Sequence, residues 1–594
     1  MASPVEAPSR PAIGQGGVAP RLAALPLFRG LDEAALAAIA AELEWVELPG
    51  GTVLFREGDP AESLYVVTAG SLEVLLKGAE GDRPVAQIGV GETVGEMGLI
   101  AGTPRSATVA ALRDSQLVRL DKPAYDKLIA AHPGAMLQLV QLLVGRLHRT
   151  THGERLVRSA KTLAILPLSG APATAGFGRD FVAALAAAGH RVERLDAAAE
   201  RSSERLHRIE ADHDLVVYDA DPGASEWTRL CLRQADRVYL VESGAAPCDA
   251  SPLEPLFAGC KRRADLVLLH PAGAAEPAPC AGWLSRLSVE AHHHLRAGRG
   301  ADLERLVRLV TGNAVGLVLS GGSARGFAHI GALRALRQAG IPLDLFAGTS
   351  VGAIVAAGAA VGWGDDELRD RMRAAFATSN PLSDYTLPLV GLVKGRKVTR
   401  GLRAHFAERA IEDLWHGFFC LSTNLSSGRS KVHRSGPLWR ALRASVAIPG
   451  VLPPVIDGGE VLVDGGTLNN FPVDVMSALQ RGPVIGVNVA SGRSFASNVA
   501  DLEAGSLWQL IRQVRGETPS IIRVLMRVGT MSSAAQLRLA RAQADLLIEP
   551  KLKRIDPLDW RAFDSSVEAG YAETLRALEA VELPLRRKAA VAAP

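Results

Sequence analysis

Ser350 stands in Gly-Thr-Ser-Val-Gly, between the apolar run LDLFA and the small-residue run AIVAAGAAVG. Strand, tight turn and helix in that order place a serine hydroxyl at the tip of a sharp turn, where it can act as a nucleophile. Gly348 and Gly352 fit such a turn because side chains there would clash, and a helix N-terminus beneath the serine favours negative charge near its oxygen. About thirty residues upstream, Gly321-Gly322-Ser323-Ala324-Arg325-Gly326 follows the strand-like run VGLVLS. A glycine-rich loop entering a helix exposes successive N–H groups, which suits an oxyanion forming on an attacked ester carbonyl. A dinucleotide or phosphate loop is the competing reading, and the lack of an acidic ribose partner in a βαβ unit weakens it.

A serine nucleophile needs a base. His329, His405, His416 and His433 are available, but none follows a strand in the order Ser, Asp, His. The run VLVDGGTLNNFPV instead puts Asp464 at the end of an apolar strand, where a carboxylate can take the serine proton directly and form a Ser-Asp dyad. A second Asp-Gly-Gly, at Asp457, precedes Glu460 and reads as a hairpin turn.

The G-G-x-x-R-G loop, G-x-S-x-G, RASVAIPGVLPPV and D-G-G followed by N-N-x-P together resemble the patatin-like phospholipase family over about 265 residues. The resemblance implies that Ser350 is the nucleophile and Asp464 the proton acceptor, with Gly321, Gly322, Ser323 and Arg325 in the oxyanion loop. The family usually has a third glycine where this chain has Ser323. It also implies a lipid acyl hydrolase acting on phospholipids or lysophospholipids, with no cofactor or metal needed for catalysis.

A third constellation is Val94-Gly95-Glu96-Met97-Gly98-Leu99, followed by Pro104-Arg105-Ser106. Arg105 offers parallel donors to phosphate oxygens, Glu96 can accept from a ribose hydroxyl, and Gly95 and Gly98 let the backbone approach a ligand. These residues resemble the phosphate-binding cassette of the cyclic-nucleotide-binding domain family, with Val94 for its phenylalanine and Gly98 for its alanine. Cyclic AMP or cyclic GMP is the implied effector. Ser106 can meet phosphate or base and leaves the choice open.

The elements that must position these residues fall into three segments. Residues 22–150 show short alternating runs between Gly, Asp and Pro turns, flanked by helical spacing, and predict a small β-barrel or roll. Residues 160–300 carry continuous apolar runs (TLAILPL, DLVVYDA, DRVYLVES, ADLVLLHP) of the buried parallel-strand type, which predict an α/β linker domain. Its first loop, SGAPATAGFG, lacks the Gly-Lys-Ser/Thr of a phosphate-cradling P-loop. His292-His293-His294 is assigned a surface or packing role, because no carboxylate or cysteine stands at ligand spacing, and no metal site is assigned. Residues 314–580 predict the C-terminal α/β, patatin-like domain. A disordered leader is expected over 1–21 and a tail over 581–594. The chain is therefore expected to be multidomain. The order barrel, linker, patatin-like domain resembles bacterial relatives of neuropathy target esterase.

Bulk composition narrows the remaining classes. A net charge of +3 over 594 residues gives no footprint for nucleic acid, and α/β strands follow the barrel where a DNA-binding regulator would need a recognition helix. A catalytically silent nucleotide-sensing scaffold is the alternative that intact Ser350 and Asp464 oppose. Five cysteines without a C-x-x-C pair fit a reducing, cytoplasmic setting. The uncharged run Leu345–Gly364 is long enough to span a bilayer, but its Gly/Ala content reads as a buried helix. The stretch Thr386–Phe406 interleaves apolar residues with Lys394, Arg396, Lys397, Arg400 and Arg403. It is either a solvated basic surface or a rim for peripheral docking at the inner face of the membrane.

Overall fold

The computed structural model describes residues 22–585, apart from 24, 30, 79–80, 152–159, 200–201, 247, 249–250, 252, 258–263, 288, 388–389, 491–532, 553–554 and 583–584. The expected leader and most of the expected tail lie outside the described residues.

The first segment forms two antiparallel four-stranded sheets. One pairs β1 (Glu44–Leu48), β8 (Ser115–Asp121), β3 (Ser63–Ala69) and β6 (Thr93–Val94). The other pairs β2 (Val53–Phe55), β7 (Thr108–Ala111), β4 (Ser71–Gly78) and β5 (Gly81–Gly89). Alternation along the strands sends Leu48, Val67, Leu72, Ile88, Val109 and Leu117 into a shared core.

The middle segment is a fully parallel six-stranded sheet of β9 (Thr162–Pro167), β10 (Val192–Leu195), β11 (Leu215–Asp219), β12 (Arg237–Ser243), β13 (Ala264–His270) and β14 (Ala291–Arg296). The order is β10-β11-β9-β12-β13-β14. Separate hydrophobic clusters cover its two faces, which is why its strands are apolar at successive positions. The loop after β9 faces acidic groups. Ser169 donates to Glu242 at 2.8 Å, and a Cβ at Gly178 would lie 2.5 Å from the Asp219 carboxylate.

The C-terminal sheet has eight strands: β15 (Gly316–Leu319), β16 (Leu345–Thr349), β17 (Gly417–Asn424), β18 (Arg429–His433), β19 (Val455–Asp457), β20 (Glu460–Asp464), β21 (Val484–Val487) and β22 (Leu546–Ile548). β15, β16, β17, β21 and β22 run parallel, while β18 and β20 pair antiparallel with β17. The uncharged run from Leu345 becomes the end of β16, a turn, and the Val351–Val361 helix, which is buried from Val351 to Ala360. Among the described residues no single helix is long and apolar enough to cross a membrane.

Buried polar contacts join the three units. Arg113, in the β7–β8 turn, reaches Asp236 (2.9 Å) and Glu210 (3.0 Å) of the middle unit. At the other seam Asp413 accepts from the Cys280 N–H at 2.8 Å, and Trp415 donates to Ala275 O at 3.1 Å. The histidine run makes up the centre of β14, at the sheet edge. His294 is buried and His292 and His293 are half-buried, so the run is packed at the seam, and not simply solvated. No cysteine stands at ligand spacing along the chain, but the fold carries Cys280 to His292 and His294.

Candidate active site

Strand register brings the two key residues together. On one edge of β17, residues Gly417–Leu421 pair with β16, Thr349 opposite Leu421. The next residue, Ser422, pairs with Asp464 of β20. β18 occupies the other edge of β17 at Ser422, so β16 and β20 abut end to end along one edge. Ser350, one residue past β16, thereby meets Asp464. The Ser350 hydroxyl donates to Asp464 Oδ2 at 2.8 Å, and both residues are buried.

Ser350 adopts φ 55°, ψ −128°, a left-handed conformation that costs a residue with a Cβ about 1–3 kcal/mol. The surroundings enforce it. A Cβ at Gly348 would lie 2.6 Å from the Gly352 backbone, and one at Gly352 would lie 2.4 Å from Leu319 O. The Ser350 N–H donates to the Ser445 hydroxyl at 2.9 Å, so the Leu438–Ser445 helix fixes the turn from outside. Asp464 uses both oxygens, since Oδ1 accepts from the Gly466 N–H at 2.7 Å. Burial pushes its carboxyl up to about 6, against the opposing pull of the Gly466 and Ser350 donors. A carboxylate so placed is a stronger proton acceptor than a solvated one.

The glycine loop lies against this pair. A Cβ at Gly321 would lie 3.2 Å from Ser350 Cβ and 2.4 Å from Asn470 Oδ1. Asn470 clamps the loop, accepting from Gly321 N through its backbone oxygen and donating to Gly321 O through its side chain, each at 3.1 Å. The amide of Gly322 has no backbone acceptor among the described residues. Ser323, where the family has glycine, adopts φ 51°. Arg325 is buried and donates from Nε to Ile555 O at 2.9 Å, so its guanidinium anchors the loop to the C-terminal segment.

The other candidates stand apart. His329 is buried against Ser320 O (2.8 Å), with burial pushing its imidazole down to about 4. His433 contacts the Ser422 hydroxyl at 2.7 Å. Asp457 opens the β19–β20 hairpin turn and pairs with Lys431 (3.2 Å) and Arg440 (3.4 Å). Sequence reasoning assigned no role to Ser445 or Asn470, although both fall inside its quoted motifs.

In the barrel, Gly95 has φ 85° and precedes the short helix Glu96–Ala101, with Glu96 buried. Arg105 is also buried and donates to Gly95 O and Ser63 O, each at 2.8 Å, with its guanidinium 4.2 Å from the centre of the Phe55 ring. Two backbone carbonyls thus hold the charged group that a phosphate would engage. Ser106 is exposed.

Three family models match: patatin-like phospholipase over residues 317–477, cyclic nucleotide-binding domain over 45–132, and neuropathy target esterase family P-loop like domain over 159–314. Fold and site thus define a patatin-like phospholipase, a lipid ester hydrolase, with an N-terminal cyclic nucleotide-binding domain. An NTE family protein of Mycobacterium tuberculosis is 33% identical over 579 residues, covering 94% of this chain and 95% of that one. The chain belongs to the NTE family. It is also similar to human patatin-like phospholipase domain-containing protein 6 (29% identity, 89% of this chain and 44% of that one). A lysophospholipase of Aspergillus terreus is 28% identical over 92% of this chain and 42% of its own length. The chain spans less than half of these last two relatives.

Proposed function

We propose that the protein hydrolyses acyl esters of phospholipids or lysophospholipids through a Ser350–Asp464 dyad, and that cyclic AMP or cyclic GMP bound to the barrel regulates it. The 2.8 Å contact between the Ser350 hydroxyl and Asp464 Oδ2, inside a patatin-like match, carries this reading. Ser350 Oγ attacks the ester carbonyl carbon while its proton passes to Asp464 Oδ2. The carbonyl oxygen becomes an oxyanion, and the glycine loop stabilises it through the Gly322 amide first, the Gly321 amide being held by Asn470 O. Collapse breaks the ester C–O bond, and the leaving alkoxide takes the proton from Asp464. Water then gives a proton to Asp464 and attacks the acyl-enzyme, and the second collapse returns that proton to Ser350 Oγ. The name of the Aspergillus relative supports a lysophospholipid among the substrates.

The substrate reaches this site from a bilayer. Tyr385, Leu387 and Val390 are exposed side by side, and Lys394, Arg396, Lys397, Arg400 and Arg403 follow on an exposed face. Backbone bonds tie this segment to the site: Leu392 N meets Gly450 O at 3.0 Å, while Ala447 O accepts from Asp464 N at 2.9 Å. An apolar tip beside exposed cations is the pattern of a peripheral contact with anionic lipid. The four described free cysteines fit a cytoplasmic protein docking at the inner membrane face.

A panel of phospholipids and lysophospholipids, assayed with and without each cyclic nucleotide, tests the reading. Hydrolysis that Ser350→Ala removes supports the dyad, and an intact chain that cleaves no lipid ester refutes it. Isothermal titration tests the effector separately. Arg105 has donors beyond the two given to carbonyls, so heat of phosphate binding that Arg105→Ala removes is expected. No heat with either nucleotide would show that the cassette is a relic.

A further inference from the structure

At the seam between the middle and C-terminal sheets, three side chains of different chemistry converge on one backbone oxygen. His292 Nε2 lies 2.8 Å from Glu412 O, His294 Nε2 2.9 Å, and Cys280 Sγ 3.5 Å. The sulfur and the two ring nitrogens lie within 4.8 Å of one another, and Cys280 and His294 are buried. A carbonyl oxygen has two lone pairs, so three donors compete for it. A divalent cation among these atoms removes the competition, because each of the four then contributes a lone pair.

We propose that Cys280, His292 and His294, with the Glu412 carbonyl, form a zinc-type metal site that staples the middle unit to the catalytic unit. The fold aims the donors. His292 and His294 are two residues apart on edge strand β14 and therefore point to the same side. Cys280 immediately precedes the Ala281–Leu287 helix, and Glu412 comes from the C-terminal unit. A thiolate and two imidazoles select a borderline-soft ion over magnesium or calcium, which require oxygen donors. Supporting contacts match what metal ligands need. His294 Nδ1 lies 2.8 Å from His270 Nε2; with the proton on His294 Nδ1, this contact holds the ring and leaves the Nε2 lone pair for a metal. The Asp413 carboxylate, bonded to Cys280 N, balances the single positive charge left by a divalent ion and one thiolate. A cavity of about 670 Å³ along the seam, lined in part by His292, His294 and Glu412, provides an entry path. The proposal does not depend on the reaction at Ser350.

The test uses the full-length chain, purified without a histidine tag or chelator. Elemental analysis is expected to find about one zinc per chain. Cobalt(II) exchanged into the site should give a thiolate-to-cobalt charge-transfer band that Cys280→Ser abolishes. His292→Asn should lower zinc affinity, and His270→Asn should weaken it by about 10–100-fold through ligand orientation. Excess zinc should raise Tm in the wild type but not in a Cys280→Ser/His292→Asn double variant. If His294→Asn fails to fold, the Cys280 and His292 variants still decide the matter. A wild-type chain that binds neither zinc nor cobalt, or a cobalt band that survives Cys280→Ser, overturns the proposal and leaves the seam a hydrogen-bonded one.

Discussion

At the level of single residues, Ser350→Ala and Asp464→Asn should each reduce ester hydrolysis by about three orders of magnitude or more. The double variant should be no worse than either single one, since the two act as a unit. Asp457→Asn should retain most activity, because that carboxylate serves an exposed cluster with Lys431 and Arg440. A fluorophosphonate that still labels Ser350→Ala would remove Ser350 from the nucleophile role. Asp464 also sets a pH dependence. Its folded carboxyl titrates near 6 against an ordinary 3.8, so hydrolysis should rise as pH passes through 6 and the base ionises. Stability runs the opposite way. The raised value favours the folded state below pH 3.8, and this contribution is lost as pH rises through 6, at a cost on the order of 2–3 kcal/mol. Asp464→Asn should therefore melt higher than the wild type at pH 8 and near it at pH 4. A lower Tm at pH 8 would contradict a buried charge there. Ser350 and Asp464 were legible because each sits in a local pattern of strand, turn and glycine. Ser445 and Asn470 were not, because their roles arise from contacts 95 and 149 residues away in the chain.

At the level of elements, the buried apolar runs announced most central strands, and the glycine turns announced where chain direction changes. The abutment of β16 and β20 along β17 was hidden, because strand pairing is not a local property. The glycine loop makes the contrast measurable. Ser323 is held at positive φ, so Ser323→Gly should be neutral or stabilise by up to about 1 kcal/mol. Gly321→Ala needs no positive φ but has no room, and should lose both stability and activity through its clash with Asn470. Thermal melts of the two variants check this, and a destabilising Ser323→Gly would mean the serine side chain contributes to the loop. The exposed segment after Tyr385 invites another measurement. Lys394, Arg396 and Arg400 have no ion-pair partner among the described residues, while Arg403 lies near Glu408 at 3.9 Å. Reversing these three charges should weaken flotation with anionic liposomes, at about 1 kcal/mol per cation, and slow hydrolysis of vesicle lipid. Cleavage of a soluble short-chain ester should hardly change. Equal slowing on both substrates would show that the segment acts on the site itself.

At the level of the whole molecule, the three units were legible as changes of pattern, but their joints were not, because the residues at each joint read as ordinary polar positions. Asp236 shows why. Its Oδ1 accepts from Ser71 and Arg113 of the barrel, and its Oδ2 accepts from the amides of Lys161 and Thr162 at the start of the middle unit. Burial opposes charge on Arg113, but Asp236 and Glu210 outweigh it and hold the guanidinium above its ordinary range. Removing Arg113 leaves two carboxylates buried without their cation, a loss of about 3–5 kcal/mol at the barrel–middle joint. Arg113→Ala should therefore release the barrel in a separate, lower melting step and raise amide exchange at Lys161 and Thr162. Hydrolysis of a soluble ester should persist between the two transitions, because Ser350 and Asp464 are fixed by β16, β17 and β20, which Arg113 does not touch. Any response of that hydrolysis to cyclic nucleotide should disappear over the same interval, since coupling of the barrel to the middle unit would then fall to the contacts of Asp114 with Arg233 and Gln234 beside Ser71–Asp236. If Arg113→Ala melts in one step with the wild-type midpoint, the cluster does not hold the joint. If basal hydrolysis falls as the barrel releases, the catalytic sheet depends on the barrel for its own stability.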